Sequence, residues 1–232
     1  MARNRFALIR AQVRSAFLDG VDPIADWLVR RGVRPNGITV TSAAVLLGSG
    51  AAFGVGYPRI GAFWLLFSGL LDILDGKVAR RGGMATTFGA FFDSTLDRLG
   101  EAALFSGVAI YFVTTAGQRW PILGLGVSLI TLAGAFLVSY ARARAEGLDI
   151  ECKVGIAQRP ERILGLGVPT LLFGAGPHGW LLLCIMALMA VANAVTVVQR
   201  VVHVHRLTSG SDAGPAAVAG APVFAEPAVK GS

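Results

Sequence analysis

Six uninterrupted apolar stretches constrain this chain more than anything else in it: residues 37–56, 60–74, 88–116, 120–140, 163–176 and 180–202. They are solid rather than alternating, which excludes barrel strands, whose lipid-facing side chains recur every second residue over about ten positions. In a bilayer a backbone must satisfy its own hydrogen bonds, and runs of about 20 apolar residues do so as helices. Of the 232 residues 54% are apolar and 15% charged, where a soluble domain carries about 25% charge. Too few charges remain to cover a water-facing surface. The fold class is therefore an all-α polytopic membrane protein with six transmembrane helices. The second run continues through Asp72 and Asp75, and the fifth starts near Arg159.

Basic residues set the orientation through the positive-inside bias. Seven Arg precede the first run, and Lys77, Arg80 and Arg81 follow the second. Residues 142–162 form a basic segment between the fourth and fifth, and Arg200 and Arg206 close the sixth, while the opposite loops hold only Arg59 and Arg119. Both termini are expected in the cytoplasm, in a multi-pass protein of the plasma membrane. The net charge of +7 then reads as topology; nucleic-acid binding is not expected, because the charge is spread over short juxtamembrane segments.

Residues 1–36 interleave Phe6, Leu8, Ile9, Val13, Phe17, Leu18, Ile24, Trp27, Leu28 and Val29 with Arg and three Asp. That suits an amphipathic juxtamembrane helix lying on the inner leaflet. The six-helix domain occupies 37–207, and 208–232, rich in Ala, Gly and Pro, reads as a disordered tail. No cleavable leader is expected, because the first apolar run begins late. Cys152 and Cys184 are too few for a disulfide framework, and His178, His203 and His205 lie outside the spans, where solvated side chains are the plain reading. Gly124, Gly126 and Gly134 of the fourth run suit close helix packing.

The chemistry sits in four carboxylates. Asp72 and Asp75 are three apart at the end of the second run, Asp93 and Asp97 four apart near the start of the third, so each pair shares one helix face. A central Asp costs about 2.5–3.5 kcal/mol to insert into a bilayer, so four within 26 residues demand a reason. The intervening segment, with Lys77, Arg80, Arg81 and Gly82-Gly83, reads as a cytoplasmic turn that lets the two faces meet. Converging carboxylates repel unless a cation sits among them, and an all-oxygen donor set favours hard divalent ions. The alternative is plain ion pairing with Lys77, Arg80, Arg81 and Arg98, which predicts no particular order of residues.

The order is particular. Asp72, Asp75-Gly76, Ala79-Arg80, Gly89, Asp93 and Asp97 stand at the spacings of the CDP-alcohol phosphatidyltransferase signature, which the string resembles at all eight fixed positions. The resemblance implies transfer of a phosphatidyl group from a CDP-linked lipid to an alcohol, with release of CMP. It implies two ions, Mg2+ or Mn2+, held by Asp72, Asp75, Asp93 and Asp97, with Asp97 also the general base. It implies a CDP-lipid site that includes Gly76, Arg80 and Gly89, where missing side chains admit the nucleotide and Arg80 can fork onto phosphate. Pro35-Asn36-Gly37-Ile38-Thr39 resembles the family's nucleotide-contacting start of the first span, so Asn36 and Thr39 join that site; Asn36 is equally a candidate N-cap. Thr86 faces the nucleotide or is an ordinary loop hydroxyl. A homodimer is likewise implied by the family alone.

For the acceptor, Arg142, Arg162 and Arg200 lie at the cytoplasmic ends of three different spans. This is similar to the branch that uses myo-inositol 1-phosphate, whose phosphate-binding triad would fall on these residues, although Arg142 stands where Lys is usual and Gln158 where Glu is usual. Arg still binds phosphate bidentately. A solvated rim would also explain the charge, and glycerol 3-phosphate, the acceptor of phosphatidylglycerophosphate synthases, is the alternative phosphorylated alcohol. Glu101 continues the Asp93 and Asp97 face and suits a buried partner for Arg98. A small ion-coupled transporter is disfavoured because the carboxylates have no counterpart in the second half. A structural scaffold would not need the carboxylates at all.

Overall fold

The computed structural model describes residues 20–209, and the expectations for residues 1–19 and for the tail from 210 onward lie outside them. Among the described residues the chain is all helical: α1 (20–30), α2 (Pro35–Gly54), α3 (Pro58–Arg81), α4 (Thr87–Thr114), α5 (Pro121–Glu146), α6 (Arg159–Phe173) and α7 (Trp180–Thr208), with a single 3-10 turn at Pro177–Gly179. Proline opens α2, α3 and α5, where its fixed φ suits the first turn and its missing N–H leaves nothing unsatisfied. Arg34 stands at the N-cap of α2 without a side-chain bond, so Asn36 lies inside the first turn and is not the cap.

Each apolar run falls mostly within one helix, and α3, α5, α6 and α7 extend beyond their runs at the charged end. The expected turn after the second run shrinks to residues 82–86, because α3 continues through Lys77, Arg80 and Arg81. Cations on a last helical turn face the partial negative charge of unpaired carbonyls, which favours this extension. Three helical segments are long and apolar enough to cross a membrane: Pro35–Gly54, Pro121–Glu146 and Pro177–Thr208. The charges on α3 and α4, and the 15-residue length of α6, keep these three from meeting the same measure.

The helices close into a ring, with contacts running α3–α2–α4–α5–α7–α6 and back to α3. Phe53, Leu65, Phe105, Phe112, Leu166 and Met186 fill its middle, each almost fully buried. Helices α2 and α4 cross so closely that a Cβ on Gly107 would land on the Gly50 carbonyl. Gly124 is needed against Phe112 and Gly134 against Asn193, but Gly126 faces open space and takes no part in helix packing. The outside of the bundle keeps large apolar side chains exposed, Ile122 and Leu188 among them, as a surface facing hydrocarbon requires.

A second cluster binds α1 to one end of the bundle: Val21 and Ala25 pack on Ile38, Leu74 and Val78. Around it Asp22 pairs with Lys77 and, at 2.6 Å, with Arg81, and Asp26 pairs with Arg81 at 2.5 Å. The end of α3 that bears Asp72 and Asp75 therefore meets α1 at this end of the ring.

Candidate active site

Helical spacing puts three polar side chains of α2 on the side that faces the acids. Asn36, Thr39 and Ser42 recur every three residues on one face, and two of them meet acids directly. Thr39 Oγ1 donates to Asp75 Oδ2 at 2.8 Å, and Ser42 donates to Asp72 Oδ1, with the Ser68 carbonyl 3.0 Å away. Across the site, Thr86 caps α4: its Oγ1 accepts from the Gly89 N–H at 3.0 Å. That bond fixes the first turn of the helix carrying Asp93 and Asp97.

Between these elements lies a cavity of about 160 Å³. All six residues expected to hold the nucleotide line it, Asn36, Thr39, Gly76, Arg80, Thr86 and Gly89, together with Asp75 and Asp93. A Cβ on Gly76 would stand 3.2 Å from the Arg80 guanidinium, and one on Gly89 would stand 3.0 Å from Thr86 Oγ1. Both glycines therefore keep the cavity floor open where a side chain would fill it.

Asp72 and Asp97 point away from this cavity, towards α6. Arg159, the first residue of α6, forms an ion pair with Asp72 and another, at 2.7 Å, with Asp97. Arg98 reaches Glu101 at 2.8 Å, stands 3.9 Å from Asp97, and also donates to Ser139 on α5. Glu101 is buried and accepts Arg162 on its other oxygen. Three carboxylates, Asp72, Asp97 and Glu101, thus meet three guanidiniums in direct ion pairs, and with Asp75 and Asp93 left outside these pairs the helices carry an excess of acid in a poorly hydrated place.

Among the described residues no three acidic, histidine or cysteine side chains stand close enough together to enclose a metal ion as they are. The donors nevertheless suit a hard divalent cation. They are all carboxylate oxygens, and among the described residues Asp75 and Asp93 have no basic partner at ion-pair distance and the buried Asp93 Oδ1 has no hydrogen-bond partner. The residues present fit a divalent ion, provided Asp72 and Asp97 turn from Arg159.

The three arginines expected at the acceptor behave differently from one another. Arg162 is buried, donating to Glu101 and, at 2.8 Å, to the Ala157 carbonyl. Arg200 is buried too, and donates to the Val154 carbonyl at 3.0 Å and to the Val138 carbonyl. Arg142 is 45% exposed and pairs with Glu146 at 2.8 Å, one turn along its own helix. They gather even so: Arg200 reaches the Val138 carbonyl one turn before Arg142 on α5, and Arg162 and Arg200 hold the same 151–158 loop through Ala157 and Val154. Thr196 Oγ1 accepts from the Ala157 N–H at 2.9 Å, so α7 holds the 151–158 loop over this group.

Sequence reasoning missed Ser42 and Arg159, and left Glu101 without its partner Arg162. Ser42 was legible as the next residue on the Asn36–Thr39 face. Nothing local marks Arg159, whose partners lie on two other helices.

The model of the CDP-alcohol phosphatidyltransferase family matches residues 32–204. The archaetidylinositol phosphate synthase of Methanothermobacter thermautotrophicus is 39% identical over 193 residues, covering 83% of this chain and 92% of the relative. The phosphatidylinositol phosphate synthase of Cutibacterium acnes is 39% identical over 206 residues, covering 83% of this chain and 96% of the relative. Among solved structures, the phosphatidylinositol phosphate synthase of Mycobacterium tuberculosis with CDP-DAG bound superposes with a TM-score of 0.69 at 34% identity, over 79% of this chain and 92% of that one. The same enzyme in complex with manganese and citrate superposes with a TM-score of 0.68, over 78% of this chain and 87% of that one.

Proposed function

Because the chain belongs to the CDP-alcohol phosphatidyltransferase family, and is thereby an enzyme of phospholipid synthesis in a membrane, we propose that it moves a phosphatidyl group from CDP-diacylglycerol, or an ether analogue, to myo-inositol 1-phosphate. The observation that carries the donor is the cavity of about 160 Å³ beside Asp75 and Asp93, lined by Asn36, Thr39, Gly76, Arg80, Thr86 and Gly89. The acceptor rests on relatives named for inositol phosphate lipids and on the buried Arg162 and Arg200 beside Arg142.

In this reading the CMP moiety occupies the cavity, with Arg80 on its phosphates and the open backbone at Gly76 and Gly89 against the nucleotide. Asp72, Asp75, Asp93 and Asp97 would hold two Mg2+ or Mn2+ ions, in keeping with the manganese complex of the mycobacterial relative. Such ions neutralise the diphosphate and make the lipid-side phosphorus more electrophilic. Arg142, Arg162 and Arg200 take the phosphate of the incoming alcohol. The acceptor hydroxyl oxygen bonds to the lipid-side phosphorus, its proton passes to the Asp97 carboxylate, and the bond from that phosphorus to the CMP oxygen breaks.

The remaining architecture follows. We place α2 to α7 across the plasma membrane as six spans within 37–207. The charged ends of α3 and α4 lie at the inner leaflet, and α1 rests on that leaflet with Ile24 and Trp27 outward. Both termini and the site would then be cytoplasmic, and a homodimer is proposed on family resemblance.

The test is CMP release by purified protein from labelled CDP-diacylglycerol, with and without Mg2+, over a panel of acceptors. Release is expected only with metal and myo-inositol 1-phosphate. Preference for glycerol 3-phosphate would replace the acceptor. Silence with every acceptor, alongside ion flux in liposomes, would favour a transporter.

A further inference from the structure

One basic side chain touches both acidic helices, and the reaction outlined above gives it no task. Arg159 pairs with Asp72 on α3 and with Asp97 on α4 at 2.7 Å, and it is only 18% exposed. Its Nε is buried and has no hydrogen-bond partner among the described residues, so the guanidinium directs donors at these two carboxylates and keeps one unused. Arg162 follows three residues later on the same face of α6, and its own partner is Glu101. The start of α6 thus holds one arginine aimed at the proposed metal ligands and another in the proposed acceptor pocket.

We propose that Arg159 competes with a divalent cation for Asp72 and Asp97, and that the cation's arrival turns Arg159 towards the phosphorylated acceptor beside Arg162. The proposal rests on reading the four carboxylates as the metal site. A guanidinium and a divalent ion cannot share the same carboxylate oxygens, because two like charges would meet at contact distance in a poorly hydrated place. Displacement leaves the arginine close to the acceptor pocket, because Arg162 is one turn away on the same helix. A phosphate monoester is the anion there that a planar fork of donors matches. Metal binding and acceptor binding are then linked, and by reciprocity each strengthens the other. The arrangement orders the site: the cation that prepares the donor also releases the side chain that receives the acceptor.

The experiment measures Mn2+ affinity by calorimetry on the full-length protein in nanodiscs, without donor lipid, for wild type, Arg159→Gln, Arg159→Lys and Asp93→Asn. Arg159→Gln is expected to bind Mn2+ about tenfold more tightly, since its competitor is gone. Arg159→Lys, a point charge unable to bridge both carboxylates, should fall between the two, and it serves if the Gln variant does not fold. A second titration with myo-inositol 1-phosphate should show Mn2+ strengthening its binding to wild type and leaving Arg159→Gln unaffected. Unchanged or weaker Mn2+ binding in the Arg159 variants would overturn the competition. Equal Mn2+ binding by wild type and Asp93→Asn would instead remove the metal site itself, and the proposal with it.

Discussion

Thr39 on α2 donates a 2.8 Å hydrogen bond to Asp75 on α3, and both side chains are buried. The bond occupies one carboxylate oxygen of a residue that also lines the cavity, so α2 sets the direction of an acid on α3. Ser42 does the same for Asp72 one turn further along. Hydroxyls on one helix therefore aim carboxylates on the next, as partners behind a metal's direct ligands commonly do.

Thr39→Val keeps the shape of this contact and removes its donor. Leaving the Asp75 oxygen unsatisfied costs about 1–3 kcal/mol, and loss of such a supporting bond weakens metal binding by about 10- to 100-fold. Thr39→Ser restores the hydroxyl and should restore affinity. Mn2+ titration of the purified variants measures both.

Asp97→Asn removes the proposed general base, with a fall of about 10²- to 10⁴-fold in kcat. Its KM for the CDP-lipid should move less than its kcat, because Asp97 does not line the proposed nucleotide cavity. Both variants alter proposed metal ligands and should raise the Mg2+ concentration needed for half-maximal rate, but only Asp97→Asn should keep a low kcat once Mg2+ is saturating. CMP release followed over a Mg2+ series separates the two, and a fully active Asp97→Asn enzyme would strip Asp97 of its role.

Arg162→Lys keeps a positive charge for Glu101 but loses the planar fork. Charged hydrogen bonds are worth about 1.5–3 kcal/mol, so KM for the phosphorylated alcohol should rise about 10- to 100-fold. Arg142→Ala removes the half-exposed member of the proposed phosphate site, so KM should rise here too, by less than in Arg162→Lys because water screens the Arg142 charge. Acceptor titrations at saturating donor test the contrast.

A hydrogen bond from Lys77, reinforced by Arg81, holds the Asp22 carboxyl below its usual range. A carboxyl depressed by folding stabilises the docked form above its unfolded pKa and loses that contribution as pH falls through the folded value. Docking of α1 should therefore persist through about pH 4, the ordinary carboxylate range, and fail only in stronger acid. Asp22→Asn should loosen α1 already at neutral pH. Trp27 fluorescence reports it, in a background with Trp64, Trp120 and Trp180 replaced by Phe.

Local order in the chain already decided a good part of this protein. Solid apolar runs dictate helices, because a backbone in lipid has no other donors and acceptors. Spacings of three and four put Asp72 with Asp75 and Asp93 with Asp97 on single faces, because a helical turn has a fixed length. The same order brought out six residues that the structure finds lining one cavity, Gly76 and Gly89 among them. The ring of helices decided the rest. That Ser42 meets Asp72, that Glu101 takes Arg162, and that Arg159 spans Asp72 and Asp97 depends on which faces of α2, α4 and α6 come to rest against one another. Charges on separate helices acquire partners only when packing removes the water between them, and no spacing along the chain encodes that approach.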